Sequence, residues 1–234
     1  MAMYNRRCDI EVLEQLEDLF RLADEYLALP AVSTLLDSAL WGITLRKAIQ
    51  EIGTAGDPRI LDLLIMAKRL RQPILFREML GWVVGHWSSH GKEWINVLRK
   101  DHPNILLVVL EAYSRLWEML SRTDSLVAKY LRDNCTMQVR RALAIHYGSS
   151  EESLMSKARY YRIVADLISE VTPGEPDSYL PILKVLYRLL ENTLPLLSSS
   201  HIKTDCNAYD CKNIFLCAAW ADVDLPWDPN EIDW

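Results

Sequence analysis

From Ile10 the apolar residues fall at Val12, Leu13, Leu16, Leu19, Phe20, Ala23, Tyr26 and Leu27, a three-four spacing that lays one apolar stripe along a helix. Pro30 then opens a second helix, where its missing N–H leaves no bond unmade, and Leu35, Leu36, Ala39 and Leu40 continue it. A third segment runs from Leu45 to Ile52 and stops at Gly53. Asp57 is placed to cap the next helix and Pro58 to sit at its first position, with Leu61, Leu64, Ile65 and Leu70 following. A Trp-rich stretch with Trp82, Trp87 and Trp94 precedes a turn at Asp101-His-Pro-Asn. Beyond it the pattern predicts a long apolar helix from Ile105 towards Leu120, and helical periodicity resumes through Val139, Leu143 and Ile145. Gly148-Ser-Ser-Glu-Glu breaks the pattern, and a helix from near Ser153 carries Leu154, Ile163, Val164, Leu167 and Ile168. Thr172-Pro-Gly-Glu-Pro-Asp is the strongest loop signal, and a final helix from Tyr179 to Leu194 ends at Pro195.

Two helix ends look alike. Leu22-Ala-Asp-Glu-Tyr-Leu-Ala-Leu-Pro30 and Met66-Ala-Lys-Arg-Leu-Arg-Gln-Pro73 each close one helix with a proline that opens the next. They lie about forty residues apart, the spacing of stacked helical hairpins. The expected fold is therefore all-α: antiparallel helix pairs around one core over residues 1–197. From Ser198 the periodicity is lost, so residues 198–234 read as an irregular extension packed on the helices, with one short strand at most, Ile214 to Ala219.

Composition agrees with a folded domain: 234 residues, 50% hydrophobic and 25% charged, with only 8 glycines. A net charge of −6 removes the basic face that sequence-independent nucleic-acid binding requires, so no direct nucleic-acid contact is expected. The charge is uneven. Glu11, Glu14, Glu17, Asp18, Asp24 and Glu25 load the start and the tail is acidic, whereas Arg115, Arg122, Lys129, Arg132, Arg140 and Arg141 make the middle basic. These read as solvated faces attracting one another, or as a surface for an acidic partner. The longest apolar run, Ile105 to Leu110, is too short for a bilayer, no signal peptide is read at the start, and five scattered cysteines suit reduced thiols. A cytoplasmic or nuclear protein is expected.

Catalytic chemistry finds little support. No nucleophile elbow, P-loop or dinucleotide fingerprint is present, and no enzyme is expected. His201, Cys206, Cys211 and Cys217 carry the donor types of a tetrahedral zinc site, at spacings looser than compact zinc knuckles use; unligated thiols are the alternative. His86 and His90 would share a helix face, but only Trp-Ser-Ser separates them, without the acid of a metalloprotease helix. Trp41, Trp82, Trp87, Trp94 and Trp117 suit a core; if exposed, Trp82, Trp87 and Trp94 would instead mark an interface. In the tail, Leu225-Pro-Trp-Asp-Pro-Asn-Glu-Ile-Asp-Trp234, two prolines forbid a regular helix, and Trp227 and Trp234 require a surface, in cis or on a partner.

Three segments resemble a known family: Leu19-Phe-Arg-Leu-Ala-Asp-Glu-Tyr-Leu-Ala-Leu-Pro-Ala-Val-Ser33, Ala67-Lys-Arg-Leu-Arg-Gln-Pro-Ile-Leu-Phe-Arg-Glu78, and Phe215-Leu-Cys-Ala218 continuing through Asp224-Leu-Pro-Trp-Asp228 to Glu231-Ile-Asp-Trp234. In order and separation they are similar to the helical region beyond the BTB/POZ core of filamentous-fungal BTB-domain proteins. No strand-and-hairpin core is read before Leu19, so the chain reads as that extension standing alone. The resemblance implies a helical fold and an adaptor's role but carries no catalytic residue, and the core that dimerises or binds cullin does not transfer. The expected function is a non-catalytic interaction module, an adaptor or scaffold subunit with protein partners or self-association. A transcription- or chromatin-associated subunit and a small zinc-stabilised binding protein are the alternatives. The candidate partner-binding residues are Trp82, Trp87, Trp94, Trp227 and Trp234.

Overall fold

The structure, a computed structural model, describes residues 13–39, 45, 47–49, 51–52, 57–134, 154–171, 176–190 and 225–228. Its named helices are α1 (Leu13–Glu25), α2 (Leu29–Ala39), α3 (Arg59–Arg69), α4 (Pro73–Gly85), α5 (Trp87–Asp101), α6 (Pro103–Asn134), α7 (Leu154–Val171) and α8 (Pro176–Leu190). Among the described residues there is no strand, so the all-α expectation holds; the suggested strand at 214–219 lies outside them.

The two similar helix ends adopt one geometry. Leu27 and Arg71 both take positive φ, 54° and 48°. Behind the first, Ala28 N donates to Ala23 O at 2.7 Å and Leu27 N to Asp24 O at 3.4 Å. Behind the second, Gln72 N donates to Ala67 O at 2.9 Å and Arg71 N to Lys68 O at 3.1 Å. Both are Schellman closures, which satisfy the last carbonyls of a helix by turning one residue left-handed. Every atom pair recurs 44 residues on (71 − 27), and α2 and α4 begin at the same offset, Leu29 and Pro73. Gln72 caps α4 through its side chain, accepting from Ile74 N at 3.3 Å, and its Nε2 donates to Ser33 O on α2 at 3.5 Å.

Side chains fix how the two hairpins sit. Arg59, opening α3, lies 3.7 Å from Glu14 near the start of α1. Arg69, closing α3, pairs with Asp24 near the end of α1, and its guanidinium lies 5.3 Å from the Phe20 ring centroid. Start meets start and end meets end, so α1 and α3 run parallel. Glu14 and Asp24 of the acidic start therefore meet α3, and among the described residues no ion pair joins that start to the basic middle. Arg115 and Arg122 of that middle bind Glu111 and Glu118 one turn back in their own helix, each at 2.5 Å.

Helix α4 is the centre of the core. Leu75, Phe76, Met79, Leu80, Trp82, Val83 and Val84 are all inaccessible to solvent, and Glu78 is buried among them. The α3/α4, α5/α6 and α7/α8 pairs each join sequence neighbours, while α6 also touches α4 and α8. Two boundaries differ from expectation. Helix α6 runs 32 residues, well past Leu120, because neither Gly nor Pro interrupts it and the two Glu–Arg pairs favour continuation. Helix α8 begins at Pro176, three residues before Tyr179, with Pro181 exposed near its start; residues 191–194 fall outside the described part. Asp57 caps α3 as expected, accepting from Arg59 N at 2.9 Å, and Pro58 stands just before the first helical residue.

Candidate interaction surface

The Trp-rich stretch forms two helices separated at His86, which ends α4 and caps α5 with φ −96° and ψ 6°. That break splits the histidine pair. His86 is buried and stacks on Trp82 at 6.3 Å, whereas His90 lies 5.2 Å from Trp94. Trp82, Trp87 and Trp94 are 0%, 8% and 4% exposed, so the condition that would make them an interface, exposure, is not met. Trp87 lies flat over Gly91, where a Cβ would stand 3.1 Å from the indole. Its ring also sits 6.2 Å from both Trp94 and Tyr113, and Tyr113 meets Trp117 edge-on at 6.1 Å. These rings join α5 to α6. The Trp82 indole N–H is buried without a hydrogen-bond partner among the described residues.

Polar groups fasten α7 to the second half of α6. The Tyr161 hydroxyl reaches Asp124 Oδ1 at 2.5 Å and Leu120 O at 3.1 Å. Lys157 donates to Asp124 Oδ2 at 2.7 Å while its ammonium sits 5.2 Å from the Trp117 ring centroid. At the α5/α6 junction, burial pushes the His102 imidazole below its ordinary value; Asp101 opposes this, and Lys68 and Arg69 add to it.

The tail docks in cis at its described part. Trp227 is half-buried and meets Phe76 of α4 edge-on, with centroids 5.2 Å apart and planes at 83°. Leu225 also rests on the core. Trp234, and His201, Cys206, Cys211 and Cys217, lie outside the described residues. Among the described residues no group of three or more His, Cys, Asp or Glu is placed to hold a metal ion. Of the basic trio Arg132, Arg140 and Arg141, only Arg132 is described, and it is exposed. No described helix is long and apolar enough to cross a membrane.

One apolar surface departs from the sequence pattern. Tyr26 and Leu27, both counted in the apolar stripe of α1, and Leu22 beside them are 72%, 89% and 50% exposed. The helix ends at Glu25, and its core side follows Leu16 and Ala23, so the stripe does not extend to these three. Their equivalents 44 residues on behave oppositely: Met66 and Leu70 are buried, and an arginine occupies the left-handed position. Among the described residues the other exposed large apolar ones, Val97, Leu107, Leu110, Leu126 and Tyr187, are distributed over α5, α6 and α8. No local signal marked the corner, because Leu27 takes left-handed backbone without being glycine and its apolar identity matches that of a buried position.

Comparison with known proteins gives no match: no family model, curated protein or solved structure matches the chain.

Proposed function

We propose that this protein is a non-catalytic protein–protein interaction module, an adaptor or scaffold subunit, whose helical core presents the Leu22–Tyr26–Leu27 corner to a protein partner. The observation that carries the reading is the pairing of a well-filled interior with apolar side chains held in solvent at one corner. Left-handed backbone at a non-glycine residue costs free energy, and an exposed leucine recovers little of it by burial. Residues kept at such a position despite their cost to the free protein are what a binding surface requires. The resemblance to the helical region of fungal BTB-domain proteins supports an adaptor of a fungal intracellular complex, cytoplasmic or nuclear. Within that reading Trp82, Trp87 and Trp94 belong to the buried core that holds α4, α5 and α6 together, and Trp227 packs on Phe76 of α4.

Photo-crosslinking tests this. A crosslinker at position 26 of the full chain should trap one stoichiometric protein from native extract, and one at exposed Leu107 should not. Equal labelling from both positions, or none from position 26, would remove the basis for the proposal.

A further inference from the structure

The parallel arrangement of α1 and α3 gives the exposed corner a specific partner. At about 100° per residue, Phe20 and Asp24, which reach α3 near the end of α1, project about 120–160° away from the exposed pair Leu22 and Tyr26, whereas Glu14, which meets Arg59 near its start, lies about 80° from Leu22. In α3 the counterparts Met66 and Leu70 share a face with Arg59, and Arg69 borders it. Arg59 and Arg69 are the residues that engage α1. Leu22 and Tyr26 therefore occupy positions that, one repeat later, form the face turned towards a neighbouring helix. On α1 that flank has no described helix against it, as the exposure of all three residues requires.

Charge selects the occupant. Helix α1 carries Glu14, Glu17, Asp18, Asp24 and Glu25 against the single Arg21. Glu14 and Asp24 are met by α3 and Asp18 by Arg21. Glu25 is exposed beside Tyr26, with no ion-pair partner among the described residues. Resting on the proposed interaction role, we infer that the outer flank of α1, Leu22, Tyr26 and Leu27 bordered by Asp18 and Glu25, is the docking site for a basic amphipathic helix of a partner protein, seated much as α3 is seated on the opposite flank. A second copy using the same flank would set Asp18 and Glu25 against themselves, and like charges across an interface oppose association. The equivalent face of α3 is unavailable to another molecule because Met66 and Leu70 are buried within the chain.

A labelled peptide of residues 58–72 is a direct probe, because its α3 face already fits an acidic, apolar flank of α1. It carries Arg59, Lys68, Arg69 and Arg71 against Asp62, a charge of +3 (4 − 1). Fluorescence anisotropy with the full-length protein should show saturable binding that weakens as salt rises. Tyr26→Ser and Glu25→Lys should each weaken it by at least about tenfold, with far-UV circular dichroism and melting unchanged because both side chains are exposed. A control peptide with the four basic residues replaced by glutamate should not bind. If the control binds equally and Tyr26→Ser abolishes both, the basic partner is refuted while the interaction role survives. Failure of both peptides to bind, binding indifferent to Tyr26→Ser, or concentration-dependent self-association lost in Tyr26→Ser each overturns the inference.

Discussion

Replacing Leu27 by glycine should stabilise the protein, against the general expectation that removing a large apolar side chain destabilises. Leu27 holds φ 54°, where an L-residue's Cβ crowds the following carbonyl at a cost of about 1–2 kcal/mol. Glycine carries no such penalty but gains freedom in the unfolded chain, which returns about 0.4–1 kcal/mol. The side chain is 89% exposed, so almost no buried apolar area is lost with it. The net gain is roughly 0.5–1 kcal/mol, or about 1–4 °C in Tm for a chain of this size. Thermal melting followed by circular dichroism, with Leu27→Ala alongside, separates the causes. Alanine removes the same side chain beyond Cβ but keeps the strained backbone, so it should give no comparable gain. The reasoning fails if the glycine variant melts at or below the parent, or if alanine stabilises as much. Leu27→Gly should at the same time weaken the 58–72 peptide, so stability and binding move in opposite directions.

Trp227→Ala should lower stability by about 2–3 kcal/mol, from the lost edge-on pair with Phe76 and the half-buried ring together, and Tm by roughly 4–12 °C; an unchanged melt would show that the ring seals nothing. Tyr161→Phe should cost about 1–2 kcal/mol by leaving Asp124 and the Leu120 carbonyl without its hydroxyl, and its effect should be non-additive with Asp124→Asn in a double-mutant cycle; strict additivity would deny the network. The side-chain hydrogen bond from Arg59, reinforced by that from the Arg59 backbone, holds the Asp57 carboxyl below its ordinary range, with burial opposing. Its folded value lies below the unfolded one near about 3.9, so this contribution is present above about pH 4 and is lost as pH falls through the folded value. Asp57→Asn, which keeps a capping side chain, should flatten that acid limb; a limb parallel to the parent's would rule the linkage out.

Periodicity identified most helices because the three-four spacing is set by burial, and burial is what the fold satisfies. Leu16, Ala23, Leu61, Leu64, Val164 and Ile168 are all core residues as their spacing implies. The same criterion misplaced Tyr26 and Leu27, because apolar identity cannot tell a buried position from one retained at the surface. The repeat was visible as Ala23 and Ala67 before two proline-opened helices, but its closing geometry was hidden, since neither left-handed residue is glycine. The split at His86 did carry a local marker that the periodicity passed over, since Gly85 ends α4 directly before it; the stacking of His86 on Trp82 and the seat of Trp87 over Gly91 accompany the break. Charge totals were a poor guide to pairing because short-range geometry decides it. Arg115 and Arg122 find glutamates four residues back, and α1 is met by two arginines that belong to no basic cluster of the middle.

Helix α6 sets the order in which the molecule can assemble. Its 32 residues span about 48 Å, at about 1.5 Å each. The rings of α5 bind its first half, through Tyr113, and Tyr161 and Lys157 of α7 bind its second half. The paired helices are mostly neighbours along the chain, so loop closure is inexpensive and each hairpin can form on its own. The contacts from α6 back to α4 and forward to α8 are among those that close longer loops, as are the α1–α3 ion pairs and the Trp227–Phe76 contact. Topology therefore predicts that α6 joins α4 and α5 before it recruits α7 and α8, an order that φ-value measurements of refolding would check.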